Sequence, residues 1–183
     1  MATALVSGCA AVVREALIQQ RQTAPNAALV KAVLICGAED LPRSGSADRG
    51  NRGNRVNRVN RVNLANSVVI CRHRTFEENN LRQGAQVSYP VAKDGKPAAL
   101  KVVLVWVDYP GAALQSQLGL NVRVDAEHLY SRLDPYDNVL EVRADRRSSS
   151  ATISILAHRI TRTTDMEHPR YQAFALAWRW LPI

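Results

Sequence analysis

Leu5, Cys9, Val12 and Ala16 recur at intervals of four, three and four, the spacing that places side chains on one face of an α-helix. Gly8, Ala10, Ala11 and Val13 carry the apolar surface round the other side until Arg14. Ala and Leu are strong helix formers, so the pattern predicts a helix over residues 1–20 that is apolar nearly all round. Such a helix belongs in an interior, packed on several sides. A second helix is predicted in "PNAALVKAVLICG", residues 25–37. Thr23 can cap it, Pro25 suits the first turn, Leu29, Val33 and Cys36 share a face, and Gly37 ends it. Val30, Leu34 and Ile35 leave little polar surface beyond Lys31, so the two helices in tandem need a sheet to pack upon.

From Leu64 the pattern changes. "SVVIC" (67–71), "AQVSYPV" (85–91), "ALKVVLVWVD" (99–108), "LGLNVRV" (118–124), "NVLEVRA" (138–144), "TISILAHRI" (152–160) and "YQAFALAWRW" (171–180) are rich in strand-forming residues. Turn residues separate several of them, at 93–97, 109–111 and 134–137. In the last segment Phe174, Leu176, Trp178 and Trp180 alternate with Ala173, Ala175 and Ala177, as in a strand with one bulky and one small face. Evenly spaced strands without intervening helices predict an antiparallel sandwich over 64–183. The expected fold class is α+β, helices followed by a jelly-roll-like sandwich. Trp106, Trp178 and Trp180 could form a sugar-binding platform, but their apolar neighbours assign them to the core.

The chain of 183 residues has a net charge of +8, which raises a nucleic-acid reading. Location weakens it: residues 43–61 carry six arginines against Asp48, a net +5, and the folded parts are nearly neutral. Most of these arginines belong to "RGNRGNRVNRVNRVN" (49–63), a triplet whose period fits neither helix nor strand. No aromatic residue is interleaved for base stacking. Residues 42–63 are therefore expected to be a solvated linker, and no nucleic-acid partner is expected.

Cys9, Cys36 and Cys71 are odd in number and widely spaced, which indicates neither a disulfide framework nor a zinc site. His73, His128, His158 and His168 are scattered, without metal-ligand spacing. Val6-Ser7-Gly8-Cys9 has the look of a bacterial lipoprotein cleavage tetrapeptide, but only Ala2–Val6 precede Ser7 and no basic residue precedes Arg14. The apolar run at 102–107 falls far short of the roughly 20 residues that cross a bilayer. Neither a signal peptide, a membrane segment nor a membrane partner is expected, and the compartment is left open.

"MATALVSGCAAVVREALIQQ…TAPNAALVKAVLICGAEDL" resembles the segment of subtilisin-like serine peptidases that follows the catalytic serine, read in that family as Gly-Thr-Ser-Met-Ala-Thr-Pro and then a helix. "RVNLANSVV" (61–69) is similar to the family's Gly-Arg-Val-Asn-Leu segment. "ALKVVLVWVDYPGAAL" and "YQAFALAWRW" resemble parts of the C-terminal β-sandwich of larger subtilases. The resemblance implies that residues 1–41 are the last helices of a subtilase catalytic domain, and that the family serine would immediately precede Met1.

Three departures stand out: Ala4 replaces the family proline, "SQLGLNV" (116–122) replaces an acidic Asn-Asp-Leu-Asp-Leu stretch, and five triplets at 49–63 exceed the single Arg-Val-Asn of the family. Calcium is known in the family, but the carboxylates it prefers are lost here, so no cofactor or metal is expected. The resemblance implies peptide-bond hydrolysis of protein substrates by a parent enzyme. This chain lacks the Asp, His and Ser triad and is expected to be inactive alone, with no catalytic, cofactor or metal residue assigned. Ser7 or Ser150 with His158 and Asp165 makes a triad only on paper, since neither serine sits in a Gly-x-Ser-x-Gly elbow. The alternative is a non-catalytic sandwich that binds a protein surface or glycan. In either case exposed apolar helix surface is expected to drive association.

Overall fold

The computed structural model describes residues 2–21, 23–40, 60–161 and 170–181. Helices α1 (Ala2–Arg21) and α2 (Ala27–Gly37) precede a two-residue pairing of β1 (Glu39–Asp40) with β2 (Asn60–Arg61), and α3 (Leu64–His73) follows. Eight longer strands come next: β3 (Phe76–Arg82), β4 (Gln86–Ala92), β5 (Ala98–Trp106), β6 (Ser116–Val124), β7 (Glu127–Tyr130), β8 (Val139–Ser148), β9 (Ser150–Ile160) and β10 (Tyr171–Trp180). They form two four-stranded sheets, in the orders β3-β10-β5-β8 and β4-β9-β6-β7, with every neighbouring pair antiparallel. Counted from β3, one sheet takes the first, eighth, third and sixth strands and the other the second, seventh, fourth and fifth. Apart from the β6–β7 hairpin, sequential strands thus cross between sheets in the jelly-roll manner. The α+β class and the antiparallel sandwich are what the chain forms.

One sheet is covered on both faces, and this explains its composition. Leu100, Val102, Leu104 and Trp106 of β5 join Phe174 and Leu176 of β10 in the core between the sheets, against Leu118, Leu120, Ile153 and Ile155. Val103, Val105, Ala175 and Ala177 point the other way, into a second core with Leu29, Val33 and Cys36 of α2. Burial on both faces replaces alternation by an apolar run over residues 102–106 of β5, preceded by Lys101. The small alanine face of β10 lies where α2 packs, and the bulky face fills the sandwich. Trp106 is fully buried there, with Trp178 and Trp180 packed against the same core, as the core reading expects.

Several local expectations are corrected. The strand expected at 67–71 is the middle of α3, so the sandwich begins at Phe76 rather than at residue 64. Its β-branched residues were outweighed by its ends: the Asn63 side chain accepts from the Asn66 N–H at 3.0 Å, and Arg74, at φ 53°, closes the other end. Ser67, Ile70 and Cys71, spaced three and four apart, are the buried residues. Asn26, not Thr23, caps α2, accepting from the Leu29 N–H at 2.7 Å. Strands β3 and β7 carry little strand signal: β3 is polar from Glu77 to Asn80, and β7 is only four residues long. Of the expected linker, residues 42–59 lie outside the described residues, while Asn60 and Arg61 are in a strand.

Candidate functional site

Helix α1 packs on α2 and α3, but Val13 and Leu17 are its only fully buried apolar side chains among the described residues. Leu5, Val6 and Val12 are 67%, 41% and 45% exposed. Alongside runs an open groove of about 820 Å³, lined mainly by Val6, Ala10 and Ala11 of α1 and by Val30, Leu34 and Ile35 of α2. These α2 residues occupy the face turned away from Leu29, Val33 and Cys36, and hence away from the sheet. Arg14 and Lys31 place two cations in an otherwise apolar lining. Lys31 donates to Asn138 Oδ1 at 3.3 Å.

The groove is held at its end by the last Arg-Val-Asn triplet, and each residue has its own task. Arg61 donates to Glu39 Oε2 at 2.8 Å, and Asn63 Nδ2 to Glu39 Oε1 at 2.6 Å. Val62 lines the groove, and Asn63 also caps α3. The two hydrogen bonds, from Arg61 first and Asn63 second, hold the Glu39 carboxyl below the usual glutamate range. Asn66 Nδ2 adds a bond to the Gly37 carbonyl at 3.1 Å. Gly37 is required here: a Cβ on it would stand 2.3 Å from Ser67 Oγ, so α2 and α3 cross at this glycine.

Beneath α2 the outer face of the β5 sheet becomes charged. Lys101, almost fully buried, donates from Nζ to the Ala38 carbonyl at 3.2 Å, just past the end of α2. Its ammonium faces the buried Glu141 carboxylate at 3.9 Å. A cation at a helix C-terminus satisfies a free carbonyl and complements the helix dipole. Cys36 lies beside it, and burial pushes its thiol up to about 12 although Lys101 and Arg179 act in the opposite sense.

The residues considered for catalysis are not brought together. Ser7 is exposed on α1, whereas Ser150 and His158 share β9, eight residues and therefore about 26 Å apart. Asp165 lies outside the described residues, as do His168 and the arginines of 43–58. His73 ends α3, the His128 ring stacks on Tyr130, and His158 sits over Gly119. Among the described residues no three His, Cys, Asp or Glu side chains gather as a metal site. The stretch 116–122, where the family's acidic residues would stand, forms β6. The loop before it is tied by Asp108, whose carboxylate accepts from the Gln115 and Ser116 N–H groups at 2.6 and 3.1 Å. None of the described helices is long and apolar enough to cross a membrane.

A polar pocket involving Arg123 and Asp125 has little signature in the sequence. It joins a turn, a hairpin and a strand end that only the sheet register brings together, and its single advance signal was an arginine inside an alternating strand.

No family model matches the sequence, and no curated protein matches it. Solved structures with some likeness include a mitogen derived from Yersinia pseudotuberculosis, at 11% identity and a TM-score of 0.39 over 59% of this chain and 86% of that one. A family GH115 4-O-methyl-alpha-glucuronidase matches at 6% identity and a TM-score of 0.33, over 58% of this chain and 14% of its own. A family two carbohydrate esterase from Cellvibrio japonicus matches at 9% identity and a TM-score of 0.24, over 59% of this chain and 36% of its own. Likenesses this slight say nothing about function.

Proposed function

We propose that this chain is a C-terminal portion of a subtilisin-like serine endopeptidase, contributing the helices that follow the catalytic serine and an accessory sandwich. The observation that carries the reading is the groove of α1 and α2. It is an apolar face of about 820 Å³ on the side of the helices that the sandwich leaves open, as an interior helix of a larger catalytic domain requires. The sequence resemblance supplies the identity of that domain. On this reading the family serine stands at the N-terminal end of α1, where unpaired N–H groups and the helix dipole favour a developing oxyanion. No acidic residue occupies the first turn of α1 to compete for those donors. The histidine base and the aspartate that orients it come from the rest of the parent enzyme, so peptide hydrolysis by this chain alone is not expected.

The test is sequencing upstream of Met1, followed by a casein assay with a serine-directed phosphonyl inhibitor. The expected result is an in-frame Gly-Thr-Ser before Met1, inhibitor-sensitive hydrolysis by the extended protein, and none by the chain alone. An in-frame stop codon directly upstream with no intron, or inhibitor-sensitive hydrolysis by the chain alone, would overturn the proposal.

A further inference from the structure

At one end of the sandwich, the turn after β6 and the hairpin between β8 and β9 meet the end of β4 around a pocket of about 420 Å³. Pro90, Arg123, Asp125, Ser150 and Thr152 line it. Its two charged groups are engaged very differently. Asp125 stands in the left-handed region at φ 53°, and its carboxylate accepts from Arg146 Nε at 3.2 Å and Ser148 Oγ at 3.4 Å. The Arg123 guanidinium reaches Thr152 Oγ1 at 3.5 Å, and among the described residues no carboxylate lies within ion-pair distance of it. Five N–H donors in a planar fork match a carboxylate, so the Arg123 donors beyond the one on Thr152 can meet an anion from solution.

Sheet register sets what flanks this cation. Pro90, Thr152, Arg123 and His128 lie opposite one another across β4, β9, β6 and β7, and Ser88, Ser154, Asn121 and Tyr130 form the next row. Strands about 4.8 Å apart make each row about 14 Å long. At the β7 end the His128 and Tyr130 rings stack with centroids 6.2 Å apart and planes 16° from parallel, and Tyr130 is 71% exposed. Hydroxyls that donate and accept, one guanidinium with no carboxylate partner among the described residues, and a flat ring surface fit a polyhydroxylated ring bearing a carboxylate. A nucleic acid strand would call for several phosphate-binding cations, which these two rows lack.

We propose that this face binds an acidic carbohydrate, an oligomer of uronic acid residues, with one carboxylate on Arg123, hydroxyls on Ser150 and Thr152, and a sugar ring against Tyr130. The test is calorimetric titration of the full chain with tri-galacturonate, using maltotriose as the neutral probe and tri-glutamate as the acidic peptide probe. Tri-galacturonate is expected to bind saturably, at least tenfold more tightly than either other probe. Arg123→Ala should weaken it tenfold or more, and Tyr130→Ala severalfold, with unchanged melting temperatures because both side chains are exposed. Should the alanine variant melt early, Arg123→Gln reads the same contact. Absence of tri-galacturonate binding, equal binding of tri-glutamate or maltotriose, or full affinity in the Arg123 variants would overturn the proposal.

Discussion

Burial decides what the three thiols can do. Desolvation raises Cys36 to about 12 and Cys71 to about 11, so the thiolate that reacts with disulfides is suppressed at both positions. Cys9 is only half buried on α1. A disulfide reagent at pH 8 should therefore titrate Cys9 alone in the folded chain and all three thiols in urea, as read by absorbance. Raised thiol pKa values also couple to stability. The unfolded thiols ionise near 9.0, whereas the folded ones stay protonated until about 11 and 12. Their contribution is whole below pH 9 and is lost as the pH rises toward 11 and 12. Alkaline melts should show this loss, and Cys36→Ala should reduce it. Glu39 behaves in the opposite sense: its lowered pKa adds stability above the ordinary glutamate value that is lost as the pH falls through the folded one. That Cys36 is a buried thiol could be read from its apolar helical face. That Glu39 is the anchor of Arg61 and Asn63 could not, because 22 residues separate Glu39 from Arg61.

At the scale of elements, what was legible followed the strength of the local pattern. The two long helices and six strands of the sandwich announced themselves through periodicity or strand-rich runs between turn residues. Helix α3 did not, because Val68, Val69 and Ile70 favour strands and its helical form depends on an asparagine cap and on packing against α2. The glycine at the crossing makes that packing testable. Gly37→Ala should push α3 off α2 and lower stability by about 1–3 kcal/mol, the usual range for overpacking, measured by urea denaturation. Lys101 was equally hidden, a charge beside a valine and leucine run whose partners lie just past α2 and on β8. Lys101→Met removes both the donor to the Ala38 carbonyl and the cation facing Glu141. A loss of about 1–3 kcal/mol is expected, the usual cost of leaving a buried carbonyl without its donor. A change below about 1 kcal/mol would mean that this contact does not hold α2 to the sheet.

For the whole molecule, the helices and the sandwich share a core. Val103, Val105, Val139, Ala175 and Ala177 are buried on the outer face of the β5 sheet in one cluster with Leu29, Val33 and Cys36 of α2. If residues 1–38 were removed, that face would meet water over the width of three strands, an apolar patch of the kind that drives aggregation. A sandwich acting as an independent module would tolerate the removal. The contacts argue for one cooperative unit, in which α1 and α2 are required for folding whatever lies against their open groove. Calorimetry of the full chain should give a single transition with equal van't Hoff and calorimetric enthalpies. The fragment 64–183 should be insoluble or melt without cooperativity. A sharp, reversible melt of that fragment near the temperature of the full chain would separate the helices from the sandwich. The sandwich would then stand as a binding module in its own right, and the α2 interface would be only a docking contact.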